Sequence, residues 1–152
     1  MRVFIVITAL LVITLTADAA NWTHADVYFR GWNSERFAAI GPEGLRGEAR
    51  HGFFGTVTAH ITSPSELQQL LAVLDLPRLH PMPGDPQSDT YLVVDLFDRT
   101  GVRTTCRSNG GSLWNVDCTR GRKVDKHFRK FFEQFTPRPN HAMQRTAGRS
   151  DV

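Results

Sequence analysis

Asp95 sits inside an otherwise apolar run, YLVVDLF over residues 91–97. A carboxylate buried there without partners is costly. Arg103 and Arg107 follow on the next segment at strand-like spacing, so one face of a β-hairpin would carry Asp95, Arg103 and Arg107 together. That set is either a structural cross-strand charge pairing or a polar binding patch, and the structural pairing is the expectation. Cys106 and Cys118 are the only cysteines. With no Cys-x-x-Cys, the pair reads as a disulfide, provided the chain reaches an oxidising compartment.

The six histidines, at 24, 51, 60, 80, 127 and 141, show no local metal-binding spacing, and no His-Glu-x-x-His occurs. No pattern calls for a metal or a cofactor. Ser112 lies in Gly-Gly-Ser-Leu-Trp, which is not the nucleophile-elbow pattern. Gly41-Pro42-Glu43-Gly44-Leu45-Arg46-Gly47 lacks the lysine and the strand-to-helix context of a phosphate loop.

Charge is unevenly distributed. Residues 20–118 hold 8 basic against 11 acidic residues, whereas residues 119–152 hold 9 against 3. Arg122, Lys123, Lys126, Arg129 and Lys130 crowd one short stretch and form a candidate anion-binding face. The simpler alternative is a solvated face that keeps a phenylalanine-rich helix soluble.

The N-terminus suggests where this chemistry takes place. Arg2 precedes an uncharged run over residues 3–16, and Ala17-Asp18-Ala19 offers small residues before a cleavage point. This is the layout of a secretory signal peptide over residues 1–19, and the run falls short of the roughly 20 apolar residues that span a bilayer. The expected location is therefore secreted or periplasmic; the alternative is tethering to a membrane by an uncleaved N-terminal segment. Asn21-Trp22-Thr23 is a glycosylation sequon on what would be a free new N-terminus, relevant only in a host that glycosylates.

Several elements would position these groups. Residues 25–31 read as a strand with Val27 and Phe29 on one face, residues 36–40 as a second short strand, and residues 52–61 as a longer one. Gly41-Pro42-Glu43-Gly44 reads as a break between them. Ser63-Pro64-Ser65-Glu66 is a capping box with proline at the first helical position, and Leu67, Leu70, Leu71 and Leu74 follow as an apolar stripe. That helix should stop near Asp75 or Leu76, ahead of Pro77. Residues 77–89 read as a proline-rich spacer loop.

Asp98-Arg99-Thr100-Gly101 predicts a three-residue hairpin turn that sets Leu96 opposite Thr104, Val94 opposite Cys106 and Leu92 opposite Ser108. A similar turn at Ser108-Asn109-Gly110-Gly111-Ser112, with Gly111 left-handed, would place Trp114, Val116 and Cys118 on the core face. In that tight register Cys106 faces Trp114, about 13 Å short of Cys118, too far for a bond. The disulfide therefore requires a wider loop, and the compartment argument favours it. Residues 123–135 read as a second helix with the stripe Val124, Phe128, Phe131, Phe132 and Phe135.

The expected fold is α+β: an antiparallel sheet of about five or six strands with both helices on one face, in the order βββαβββα. A single domain over residues 20–136 would be followed by a disordered basic tail over residues 137–152.

Three functions remain open. The leading one is a non-catalytic binding or interaction module outside the cell, marked by an exposed apolar patch. The second is peripheral association with anionic surfaces through the basic helix. The third is an enzyme of unrecognised type, which needs His60, Asp95 or Cys106 to meet a second polar partner in a concavity. The partner would be another exported protein or an anionic surface; the export signal argues against nucleic acid.

Overall fold

The computed structural model describes residues 21–34 and 39–136. The expected signal peptide, most of the strand expected over residues 36–40, and the expected tail over residues 137–152 lie outside the described residues. The fold is α+β. The strands are β1 (Trp22–Phe29), β2 (Val57–Ile61), β3 (His80–Pro81), β4 (Leu92–Asp98), β5 (Arg103–Ser108), β6 (Ser112–Asn115) and β7 (Arg120–Lys123). The helices are α1 (Pro42–His51), α2 (Pro64–Leu74) and α3 (Lys126–Glu133). The strands form one antiparallel sheet in the order β2-β1-β4-β5-β6-β7-β3.

One face of the sheet carries the main core. Ala25, Val27 and Phe29 of β1, Leu92, Val94 and Leu96 of β4, and Cys106 pack against Leu67, Leu70 and Leu74 of α2 and Phe128 and Phe132 of α3. Both helices expected from their apolar stripes thus share a face, as their periodicity requires. Each such leucine or phenylalanine, fully buried, contributes about 1.5–3 kcal/mol. Proline opens α2, and Asp75, in the left-handed region at φ 48°, ends it. The capping-box side-chain bonds are not made, because Ser63 Oγ turns instead to Ser65 Oγ at 3.0 Å.

α1 is an element that the expected order does not contain. The residues read as a break open this helix: Pro42 occupies its first turn, and Gly52, at φ 66°, closes it by donating to the carbonyls of Glu48 and Ala49. Proline inside the start and glycine past the end is a helix signature, but Gly44 and Gly47 within lower the intrinsic helical preference by about 1 kcal/mol each. α1 buries Leu45 and Arg46 and packs on β1 and β4. It lies opposite α2 and α3, since Arg46 reaches Asp95, which alternates with Val94 and Leu96. The strand expected over residues 52–61 is correspondingly shorter, with a turn of 3-10 helix, Phe53–Gly55, ahead of β2.

The first hairpin has the expected register residue for residue: Leu96 opposite Thr104, Val94 opposite Cys106, Leu92 opposite Ser108. The second differs by one. Leu113 pairs with Ser108, Trp114 with Arg107 and Asn115 with Cys106. Asn109 Oδ1 accepts from the amides of Gly111 and Ser112, each at 3.0 Å, and Gly110 rather than Gly111 takes the positive φ of 86°. This side-chain turn adds a residue to the loop, and a one-residue slip exchanges the faces. Leu113 therefore joins the main core, Trp114 points to the opposite face, and Val116 is exposed.

The segment after Pro77 is not a bare spacer. β3 pairs with β7, and the amides of Met82 and Gly84 donate to Thr119 O and Cys118 O. The loop then crosses Trp114 so closely that a Cβ on Gly84 would lie 2.6 Å from the indole nitrogen. Glycine is required there by contact.

Candidate functional site: an ion-pair cluster and a basic groove

Asp95 is 1% exposed, and Arg46, missing from the expected patch, is its partner. The guanidinium grips the carboxylate with two bonds, Nε to Oδ2 at 2.8 Å and Nη2 to Oδ1 at 2.6 Å. Thr105 Oγ1 donates to Oδ1 at 2.6 Å. Arg46 also meets Thr105 Oγ1 and Glu43 Oε1. Burial acts to lower the Arg46 pKa, but the hydrogen bond and charge of Asp95 outweigh it, and the guanidinium is held above its ordinary value. Fork-to-fork pairing of this kind orients two groups as well as joining them. The cluster fastens α1 to the sheet.

The expected patch of Asp95, Arg103 and Arg107 is thus divided. Arg103 remains at the rim, half-exposed, 3.8 Å from Asp95 Oδ2. Arg107 is 2% exposed and turns away from Asp95. Its two terminal nitrogens donate to Pro86 O at 2.7 Å and Ser88 O at 2.6 Å, so it ties down the proline-rich loop.

The expected disulfide is absent. Cys106 and Cys118 are both free and buried. The register explains this: Cys106 belongs to the main core, while Cys118 lies beside Arg107 on the opposite face, with the sheet between them. Burial, with the charge of Asp95 adding to it, pushes the Cys106 thiol up to about 12. Burial also raises Cys118, partly offset by the Arg107 guanidinium. Neither thiol is poised as a thiolate nucleophile.

The five candidate anion-binding residues also separate. Arg122 is committed to structure: its guanidinium donates to the carbonyls of Val73 at 2.7 Å and Leu74 at 3.1 Å, capping the C-terminal end of α2. It also lies over the Phe128 ring at 5.6 Å. Lys123 stands exposed on β7. Lys126, Arg129 and Lys130 line an open groove of about 760 Å³ between α3 and the β5–β6 loop, with Gly110, Gly111, Val124, Asp125 and Glu133. Asp125 caps α3 by accepting from the Phe128 amide at 2.8 Å, which holds its carboxyl below the usual range. Lys126 and Lys130 make no ion pair among the described residues.

Trp32 braces this groove. Its indole nitrogen donates to Arg129 O at 2.9 Å, its ring lies 5.9 Å below the Arg129 guanidinium, and Gly110 packs on its edge. Neither Trp32 nor Arg46 was singled out from the sequence. The helix-end signals at Pro42 and Gly52 could have found Arg46; nothing local pointed to Trp32.

The remaining features fall outside both sites. Phe53, Val102 and Val116, the exposed large apolar side chains among the described residues, stand on three separate connections. His60 does meet a second polar partner, Asp26, on an open sheet surface. Among the described residues no helix is long and apolar enough to cross a membrane. The structure is thus an α+β fold with an open groove lined by Lys126, Arg129 and Lys130 together with Asp125 and Glu133. No family model, curated protein or solved structure matches the chain.

Proposed function

We propose that this chain is an exported, non-catalytic binding module that associates with anionic surfaces through the groove between α3 and the β5–β6 loop. The observation that carries the reading is the grouping of Lys126, Arg129 and Lys130 on one wall of an open groove, with neither lysine in an ion pair among the described residues and Arg129 braced by Trp32. On a helix, spacings of three and four residues bring side chains to one side. Near an anionic membrane each basic residue adds about 1 kcal/mol, and those contributions fade within a Debye length of about 8 Å at physiological salt. The groove is therefore suited to weak, reversible, salt-sensitive attachment to phosphate-bearing headgroups.

The experiment is sedimentation of the tag-free mature chain, beginning at Ala20, with vesicles containing anionic lipid, against vesicles of neutral lipid alone. Binding to the anionic vesicles only, released by salt and lost in Lys126→Glu/Lys130→Glu, supports the proposal. Equal binding to both vesicle types, or binding unaffected by the two substitutions, overturns it.

A further inference from the structure

His24 and His60 are 36 positions apart in the chain, yet the sheet brings them together. Asp26 of β1 lies opposite His60 of β2, so His24, two residues before Asp26, is diagonal to His60 on the face away from α2 and α3. Their ring centres are 5.3 Å apart.

Each ring is held by a partner on its Nδ1. Asp26 Oδ1 lies 2.6 Å from His60 Nδ1, so that nitrogen carries the proton and donates it to the carboxylate. Thr23 Oγ1 lies 2.9 Å from His24 Nδ1, and its single proton is directed at the carbonyls of Phe97 at 3.1 Å and Asp98 at 3.4 Å. The hydroxyl can then only accept from His24, which places the His24 proton on Nδ1 as well. Phe97 stacks on the same ring, 4.4 Å between centres and 7° from parallel, fixing its plane. Both imidazoles therefore keep the Nε2 lone pair free. Metal-ligating histidines are prepared in the same manner, with a carboxylate or another acceptor on the second nitrogen.

The spacing agrees with that chemistry. With metal–nitrogen bonds of about 2.0–2.1 Å and each ring centre about 1.1 Å behind its nitrogen, two imidazoles on one tetrahedral ion have centres about 5.2 Å apart. Among the described residues no group of three His, Cys, Asp or Glu side chains is placed to hold a metal. Two imidazoles alone would leave the remaining coordination positions of an ion to solvent.

We infer that His24 and His60 form a two-imidazole site for a first-row divalent cation, with Asp26 and Thr23 as positioning residues. Imidazole donors suit Cu2+, Ni2+ and Zn2+, and Cu2+ binds such sites most tightly. His60 is 59% exposed, so the ion is reachable and readily exchanged. The site is distinct from the basic groove: it lies near the start of β1, whereas Trp32 and the groove lie beyond the end of β1.

The test is Cu2+ titration of the tag-free full chain, followed by calorimetry and electron paramagnetic resonance. One site per chain with hyperfine coupling to two imidazole nitrogens is expected. His24→Ala and His60→Ala should each weaken binding at least tenfold and leave coupling to one nitrogen, while Asp26→Asn, which keeps both ligands, should weaken it by about tenfold. Replacing His80 or His127 should change nothing, and circular dichroism should show every variant folded. Affinity unchanged in both His24→Ala and His60→Ala, or coupling to a single nitrogen in the parent chain, overturns the inference.

Discussion

Removing Asp95 tests the cluster that holds α1 to the sheet. In Asp95→Ala the Arg46 side chain, 4% exposed, loses both of its bonds to the carboxylate. It retains Thr105 and Glu43, and Glu43 is 77% exposed and well hydrated. Stranding one member of a buried pair costs about 3–5 kcal/mol. The residual contact with Glu43 places this case at the low end, near 3 kcal/mol. With an m value of about 1.5 kcal/mol/M, the urea midpoint should fall by about 2 M. Glu43→Ala, which touches only the exposed arm of the network, should cost under about 1 kcal/mol. The apolar exchange Arg46→Met/Asp95→Leu should recover most of the loss, because no buried charge is left over. The assay is equilibrium urea unfolding followed by tryptophan fluorescence. A cost below about 1 kcal/mol for Asp95→Ala would refute the reasoning, because it would mean that water reaches Arg46 and α1 does not seal that face.

Three further outcomes follow from other contacts. In native full-length protein Cys106 and Cys118 should both resist alkylation until the chain is unfolded, and reduction should leave the intact mass unchanged; a mass that rises on reduction contradicts the register described here. Asp125, its carboxyl held low by the Phe128 amide, stabilises the ionised native state, so its contribution is present above the ordinary carboxylate range and is lost as pH falls through the lowered value. Asp125→Ala should be less stable than the parent at neutral pH, with the gap closing in acid. Gly84→Ala drives a methyl group into Trp114 at 2.6 Å and should cost about 1–3 kcal/mol, whereas Gly111→Ala, whose Cβ meets only Asn109 Oδ1 at 3.6 Å, should be nearly neutral in thermal unfolding.

Legibility followed how local the deciding interaction was. The β4–β5 hairpin could be read in full because Asp98 and Gly101 set the turn and the alternation of Leu92, Val94 and Leu96 allows only one register. The β5–β6 hairpin has comparable turn residues, but Asn109 decides it through a side-chain bond that composition does not reveal, and the one-residue difference carried Trp114 to the other face. The disulfide rested on compartment rather than geometry and does not form. α1 was obscured because Gly44 and Gly47 weaken its helical signal, and its anchor, Asp95, is 49 positions from Arg46. The basic helix was legible as a charge cluster, but the division of labour within it was not. Arg122 is drawn onto the end of α2 and Arg129 onto Trp32 by contacts distant in sequence.

That division is the strongest argument against treating the basic segment as a solubilising coat. A coat needs only hydrated charge spread around a helix, and no particular partner for any of it. Here Arg122 closes carbonyls of α2, and Asp125 is spent on the cap of α3. The cations left over, Lys126, Arg129 and Lys130, are gathered beside Gly110, Gly111 and Glu133 around an open groove. Arg129 is further restricted: its backbone carbonyl is bonded to Trp32 while its side chain lies over the same ring. Holding a long side chain in one place forfeits rotamer entropy of up to about 2 kcal/mol. On the proposed reading, a side chain already held in place would lose less on meeting an anion, and that preorganisation is what would separate a binding surface from a merely charged one.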